Sequence, residues 1–237
     1  MPLLPRHHLL WLTEAAWTRL QAQCQDSREQ QVLARWQQMR WPVVVRRADA
    51  DAAPDELCAG IALPPDAQGN KPRLALRVQL AEVAGSRAPY GLRDMAAARL
   101  GDLPQGWQTG MEELQQQMQA AGIALAVFGS LSWQVITAQK YLRSTSDIDL
   151  LFVPASVAQL AQGLSLMTRY AGVLPLDGEI VFPDGAAVSW KEWQQVTARE
   201  PDDTARVLVK RPTTVALEAV AQRLAVLAAR EGQACVG

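Results

Sequence analysis

Cysteine is scarce in this chain: Cys24, Cys58 and Cys235 are scattered and form no CxxC pair. That excludes a disulfide framework and a cysteine zinc site, and it fits reduced thiols in the cytoplasm. Histidine is scarcer still, with only His7 and His8. Adjacent residues cannot turn both rings toward one metal on a helix or strand, so a solvated or capping pair is expected. Lysine stands only at Lys71, Lys140, Lys191 and Lys210, which leaves arginine as nearly all of the positive charge. The formal net charge of -1 removes the electrostatic case for a nucleic-acid partner or an acidic membrane surface. No stretch approaches the roughly 18 apolar residues that a membrane span needs. The apolar run Leu9 to Leu12 is too short for a signal peptide. There is no internal repeat and no extended low-complexity tract. A cytoplasmic protein with neither nucleic acid nor membrane as partner is expected.

What is present is an ordinary globular composition, 49% hydrophobic and 20% charged, in 237 residues. That length holds one large domain or two small ones. Thr13 with Glu14 predicts a capped helix to about Gln23, with Ala16, Trp17 and Leu20 on one face. Residues 28–39 read as a second helix, ended by Trp41-Pro42, and residues 43–47 as a strand. The Ala- and Asp-rich stretch 48–55 reads as a solvated connection. Residues 58–63 and 73–80 read as strands joined by a polar turn. Residues 1–84 therefore form an expected small N-terminal α+β domain, with Gly85-Ser86-Arg87-Ala88-Pro89 as linker. Residues 85–237 form the second domain. It holds helices over 92–100 and 111–121, broken at Gly101-Asp102-Leu103-Pro104. A further amphipathic helix over 156–170 has Val157, Leu160, Leu164 and Met167 inward. A hairpin turns at Pro183-Asp184-Gly185. A short helix over 190–197, a strand over 205–210 and a closing helix over 213–230 complete the chain.

The chemistry concentrates in one stretch of that second domain. Residues 124–128 are short, apolar and β-capable, and they stop at Gly129-Ser130. A helical pattern over 131–142 follows, then an apolar strand over 148–153 that carries Asp147 and Asp149. Side chains alternate along a strand, so these two carboxylates leave one face while Ile148 and Leu150 enter the core. Paired carboxylates beside an open turn make a hard-oxygen site suited to Mg²⁺, with Mn²⁺ as the alternative, and a bound polyphosphate. The Gly129-Ser130 turn offers unpaired amides at a helix N-terminus, where phosphate is favoured. A third carboxylate belongs on a neighbouring strand facing the same way. Glu179 is the candidate for catalysis and metal binding, with Asp177 in reserve. Ser130 and Ser132 can donate to phosphate oxygens, and Arg143, Lys210 and Arg211 can reach them with positive charge.

This order of strand, Gly-Ser, helix and Asp-x-Asp strand resembles the polymerase-beta-like nucleotidyltransferase superfamily. The resemblance implies a mixed sheet with flanking helices. Longer blocks narrow it. Gly-Ser-Leu-Ser-Trp-Gln, Tyr-Leu-Arg-Ser-Thr-Ser-Asp-Ile-Asp-Leu-Leu and the run from Leu176 to Trp193 are similar to the phosphoribosyl-dephospho-CoA transferase family. Val-Leu-Val-Lys before Arg211, Arg6 to Leu12, Trp41 to Arg47 and Gly60 to Pro65 extend the similarity over nearly the whole chain. These are the holo-acyl-carrier-protein synthases of bacterial malonate decarboxylase.

The resemblance implies a specific reaction. Phosphoribosyl-dephospho-CoA moves from 2'-(5''-triphosphoribosyl)-3'-dephospho-CoA to a serine of the apo acyl-carrier subunit, and pyrophosphate leaves. The family's paired aspartates fall on Asp147 and Asp149, and its phosphate-side turn on Gly129 and Ser130. The N-terminal domain shows no catalytic set; carrier docking or dephospho-CoA recognition, with Arg46 and Arg47 as candidates, is its expected role. Two alternatives stay open: transfer to another acceptor, such as the citrate lyase carrier or a small molecule, and a nucleotide-binding regulator without catalysis.

Overall fold

The structure is a computed structural model and describes residues 4–99, 103–104, 106–199 and 204–234. Cys235 and the Gly101-Asp102 part of the expected helix break lie outside them. The chain divides into two compact units, Met1–Pro89 with Ile136–Tyr141 and Tyr90–Val135 with Leu142–Gly237. The fold is α+β, as the patterning predicts.

In the first unit Leu9–Leu12 (β1), Val43–Val45 (β2), Glu56–Ala62 (β3), Arg73–Gln79 (β4) and Val83–Arg87 (β5) make one antiparallel sheet. Its order is β4-β3-β2-β1-β5. Two expectations need correction here. The lead before Thr13 is a strand, and an inner one. Leu9, Leu10 and Leu12 are all buried, so no polar alternation marks them. The expected linker at residues 85–89 is largely β5. Leu9 pairs with Arg87 and Leu10 with Ser86, which satisfies the amides and carbonyls along the second side of β1.

The helices Glu14–Gln23 (α1) and Ser27–Met39 (α2) begin where capping chemistry puts them. Thr13 Oγ1 accepts from the Ala16 amide at 3.2 Å, and Asp26 accepts from Arg28 and Glu29. Buried Trp36 donates its indole N–H to Pro42 O at 3.1 Å, so the helix end and the Trp-Pro stop are tied together. Tyr141 belongs to this unit because its hydroxyl donates to Ala62 O at 2.9 Å. Burial pushes that phenol up to about 12. The acidic stretch is more ordered than a solvated connection. Asp49 accepts from both Arg46 Nη atoms at 2.5 and 2.7 Å and from Arg77 at 3.1 Å. Arg46 is thus engaged in closing its own loop.

The second unit holds Leu125–Val127 (β6), Ile148–Phe152 (β7), Leu176–Val181 (β8), Ala187–Ser189 (β9), Arg206–Lys210 (β10) and Val215–Ala219 (β11). They line up as β11-β10-β9-β8-β7-β6. Among the described residues only the β7–β8 ladder is parallel, so the sheet is mixed. Its helices are Leu92–Arg99 (α3), Trp107–Ala120 (α4), Gly129–Thr137 (α5), Val157–Ala171 (α6), Trp190–Thr197 (α7) and Val220–Ala234 (α8). Helix α6 makes the crossover between the parallel strands, and Gly163 lets it close on the sheet. A methyl group there would meet Phe152 Cζ at 2.4 Å. The buried stripe of α6 is Leu160, Gly163, Met167 and Tyr170, while Val157 is exposed, which rotates the predicted stripe.

The closing helix starts later than its apolar spacing predicts. Residues 215–219 are strand β11, paired residue for residue with β10 across a turn in which the Arg211 amide donates to Thr214 O. The β-branched run Thr213-Thr214-Val215 favours this pleated edge over a helix turn. One sheet face is core: Ile148, Leu150, Ile180, Val188, Val207 and Val209 are fully buried there. The alternate residues form the other face, which carries the polar groups of interest.

Candidate active site

Everything at the site follows from one strand, one turn and one register. Strand β6 ends at Val127, and the Phe128 amide donates to Asp149 O at 3.1 Å, tying the turn to β7. Gly129 follows at φ +67, in the left-handed region that glycine enters without a Cβ penalty. A methyl group on Gly129 would sit 1.9 Å from Asp149 Oδ2. The Asp149 carboxylate therefore rests directly on the glycine turn. Helix α5 begins at this glycine, so its first-turn amides have no partner within the helix. The predicted helix over 131–142 is thus shifted toward the N-terminus; it ends at Thr137, and Ala138 takes φ +57.

The loop from α5 to β7 is pinned from within. Buried Gln134 accepts from the Leu142 amide at 2.9 Å. Ser146, also buried, accepts from the Arg143 amide and returns its own amide to Arg143 O, both at 3.0 Å. Asp147 emerges from this loop, exposed, one residue before β7. The sequence reading passed over Gln134 and Ser146. A serine just before Asp-x-Asp is the one signal that could have found a closed turn.

Parallel pairing then orders the carboxylates of the neighbouring strand. Asp149 stands opposite Asp177, and Leu151 opposite Glu179. All four side chains share a face by alternation. Asp177 is the carboxylate in register with Asp149. It accepts from the Gly178 amide at 2.8 Å, and Lys191 Nζ lies 3.9 Å away. Glu179 is one step further along, buried, and accepts from Lys210 Nζ at 2.9 Å. Lys210 and Glu179 are brought together as an ion pair, Asp149 and Asp177 stand side by side, and Asp147 lies in the loop just before β7.

The remaining candidates divide. Ser130 and Ser132 are both buried in the first turn of α5, but residues two apart on a helix do not face each other. Only one of the two hydroxyls can address the glycine turn. Arg143 is exposed at the loop before Asp147. Arg211 turns to the opposite face from Lys210 and pairs with Glu218, with Asp184 at 3.6 Å. It is occupied there beside Arg223, which the sequence reading missed. Arg223 is 2% exposed and reaches Asp184 at 2.6 Å and Glu218 at 2.9 Å.

Among the described residues no three His, Cys, Asp or Glu side chains gather into a ready-made metal cage. Magnesium does not require one. It is commonly held by one or two carboxylates together with substrate phosphates. Asp149, against a glycine turn that a Cβ would fill, and Asp147 two residues before it are both oxygen donors and fit a hard divalent ion of that kind.

A glycine turn at a helix N-terminus, set beside carboxylates on a mixed sheet, has the layout of a group-transfer enzyme, and comparison with known proteins makes the class plain: the chain is a transferase. Residues 5–89 match the N-terminal domain, and residues 91–221 the C-terminal domain, of phosphoribosyl-dephospho-CoA transferase MdcG. The chain belongs to the phosphoribosyl-dephospho-CoA transferase family. It is 34% identical over 208 residues to the phosphoribosyl-dephospho-CoA transferase of Xanthomonas campestris pv. campestris, covering 87% of this chain and 90% of that one. The Bradyrhizobium diazoefficiens protein of the same name is 33% identical over 189 residues, 79% and 80% of the two chains. That of Pseudomonas aeruginosa is 32% identical over 111 residues, 47% and 49%. No solved structure gives a significant match. Among the described residues, no helix is long and apolar enough to cross a membrane.

Proposed function

We propose that this transferase moves phosphoribosyl-dephospho-CoA from 2'-(5''-triphosphoribosyl)-3'-dephospho-CoA to a serine of the apo acyl-carrier subunit of malonate decarboxylase. The observation that carries the proposal is the Asp149 carboxylate lying against Gly129 at the head of α5, in a chain of this family. The serine oxygen attacks the α-phosphorus in line; the new P–O bond forms as the bond to pyrophosphate breaks. The first-turn amides of α5 and the Ser130 hydroxyl hold phosphate oxygens. Asp177, in register with Asp149, takes the serine proton. Lys210, held by Glu179, and Arg143 offset charge on the departing pyrophosphate. Glu179 in this reading positions Lys210 and is not itself a ligand. Bound Mg²⁺, with Mn²⁺ as substitute, would be held by Asp147 and Asp149 and would draw charge from the phosphoryl oxygens. The reading places the enzyme in the cytoplasm, with Cys24 and Cys58 as free thiols.

The acceptor is tested by competition. Apo-carriers of malonate decarboxylase and citrate lyase, and a small hydroxyl acceptor, are each incubated with enzyme, Mg²⁺ and the triphosphoribosyl substrate. The malonate decarboxylase carrier gains the phosphoribosyl-dephospho-CoA mass with equimolar pyrophosphate. Faster modification of either rival would replace the acceptor named here.

A further inference from the structure

We infer that the outer end of the catalytic sheet face, on β10 and β11, is the docking surface for the acceptor protein, and that it takes an apolar anchor with a carboxylate beside it for Arg206. The inference rests on the transfer reaction proposed above and adds the place where the acceptor binds.

Leu208 and Leu217 face each other across the β10–β11 ladder, and Val215 stands opposite Lys210 on the same side. These three side chains are 37%, 60% and 40% exposed, so they form one contiguous apolar patch instead of scattered surface residues. Contiguous exposed apolar surface of this kind marks interaction sites. Alternation explains it: Val207 and Val209 point into the core and are fully buried, which leaves residues 206, 208 and 210 on the outer face. An edge strand that keeps large apolar side chains in water is a liability unless something covers it.

Two further observations select the occupant. The patch is flanked on its own face by exposed Arg206, opposite Ala219, while Lys210, opposite Val215, is paired with Glu179. A second copy of this chain fits poorly, because a two-fold contact through this face would bring two Arg206 cations to one apolar contact. An acidic segment with an apolar anchor fits both features. The patch is also continuous with the site. Lys210 lies at its inner end and bonds Glu179, two residues from Asp177 on β8. An acceptor seated on β10 and β11 lies on the same sheet face as the carboxylates, which suits delivery of a serine hydroxyl.

The test is steady-state transfer to the apo-carrier by Leu217→Glu and Arg206→Glu, with wild type alongside and thermal unfolding of each variant as control. Both variants should raise KM for the carrier at least tenfold. Their KM for the triphosphoribosyl substrate and their kcat at saturating carrier should match wild type, since neither residue touches the phosphates. Unchanged carrier KM in both variants overturns the docking surface while leaving the reaction intact. No transfer by wild type overturns the reaction, and the occupant with it. A wild-type dimer in sedimentation that Leu217→Glu dissolves assigns the face to a second copy and also overturns the proposal.

Discussion

Asp149 and Asp177 stand directly opposite each other on the parallel strands β7 and β8. In the proposed reaction this alignment gives the proton to Asp177, because Glu179 lies one step further along and is bonded to Lys210. Asp177→Asn should therefore lower kcat by about 10²–10⁴-fold, the range for removing a general base. Glu179→Gln should act less severely, and chiefly on affinity for the triphosphate, through a loosened Lys210. Steady-state kinetics of both variants at saturating acceptor make the comparison. A larger kcat loss in Glu179→Gln would return the catalytic role to Glu179.

Gly129→Ala places a methyl group where Asp149 Oδ2 now lies, at a backbone angle that costs an L-residue about 1–2 kcal/mol. The turn and the carboxylate must move apart. We expect a stability loss of about that size together with an activity loss above about 100-fold, since oriented contacts of this kind are worth several kcal/mol. Urea unfolding and turnover, measured on the same preparation, separate the two effects.

Gln134 holds the loop that delivers Asp147, through the Leu142 amide. Gln134→Leu leaves that buried amide without its acceptor, at a cost of about 1–3 kcal/mol. Turnover should fall along with stability, and amide hydrogen exchange over residues 142–147 should quicken. Unchanged exchange there would mean that Ser146 alone closes the loop.

Arg223 is buried between Asp184 and Glu218. Burial raises the Asp184 pKa, but the Arg223 and Ala186 hydrogen bonds and the nearby arginine charges outweigh it and hold the group below the ordinary carboxyl value. Glu218 is lowered first by its hydrogen bond from Arg211. Groups depressed in the folded state contribute stability that is complete above the unfolded carboxyl pKa of about 4. That contribution is lost as pH falls through the lower folded values. Arg223→Met should cost about 3 kcal/mol at neutral pH, as removal of one partner from a buried pair does. It should also flatten the acid side of the stability profile, which denaturant melts at a series of pH values would show.

Local chemistry made much of this fold legible. Thr13 as a cap, the Pro183-Asp184-Gly185 turn and the helix at Trp190–Thr197 depend on neighbours within a few residues, and each lies where its sequence points. The glycine turn and Asp-x-Asp were legible for the same reason. The readings that changed depend on distant partners. Leu9–Leu12 has no alternation because inner-strand burial removes it, and residues 85–87 are a strand only because β1 needs a second neighbour. Val215 and Leu217 satisfy a helical spacing with Val220, Leu224 and Leu227, yet pairing with β10 decides in favour of a strand. That Asp177, and not Glu179, stands in register with Asp149 is a matter of parallel pairing, which alternation alone cannot supply.

The central claim is that the carboxylate face beside Gly129 transfers phosphoribosyl-dephospho-CoA to a carrier serine. Intact-protein mass spectrometry of the apo malonate decarboxylase carrier tests it most directly, after incubation with the triphosphoribosyl substrate, Mg²⁺ and either wild type, Asp147→Ala or Asp149→Ala. The account predicts a gain equal to one phosphoribosyl-dephospho-CoA group with wild type and none with either variant, all three proteins being folded. Transfer that persists in both variants, or a carrier left unmodified by folded wild type, would contradict it.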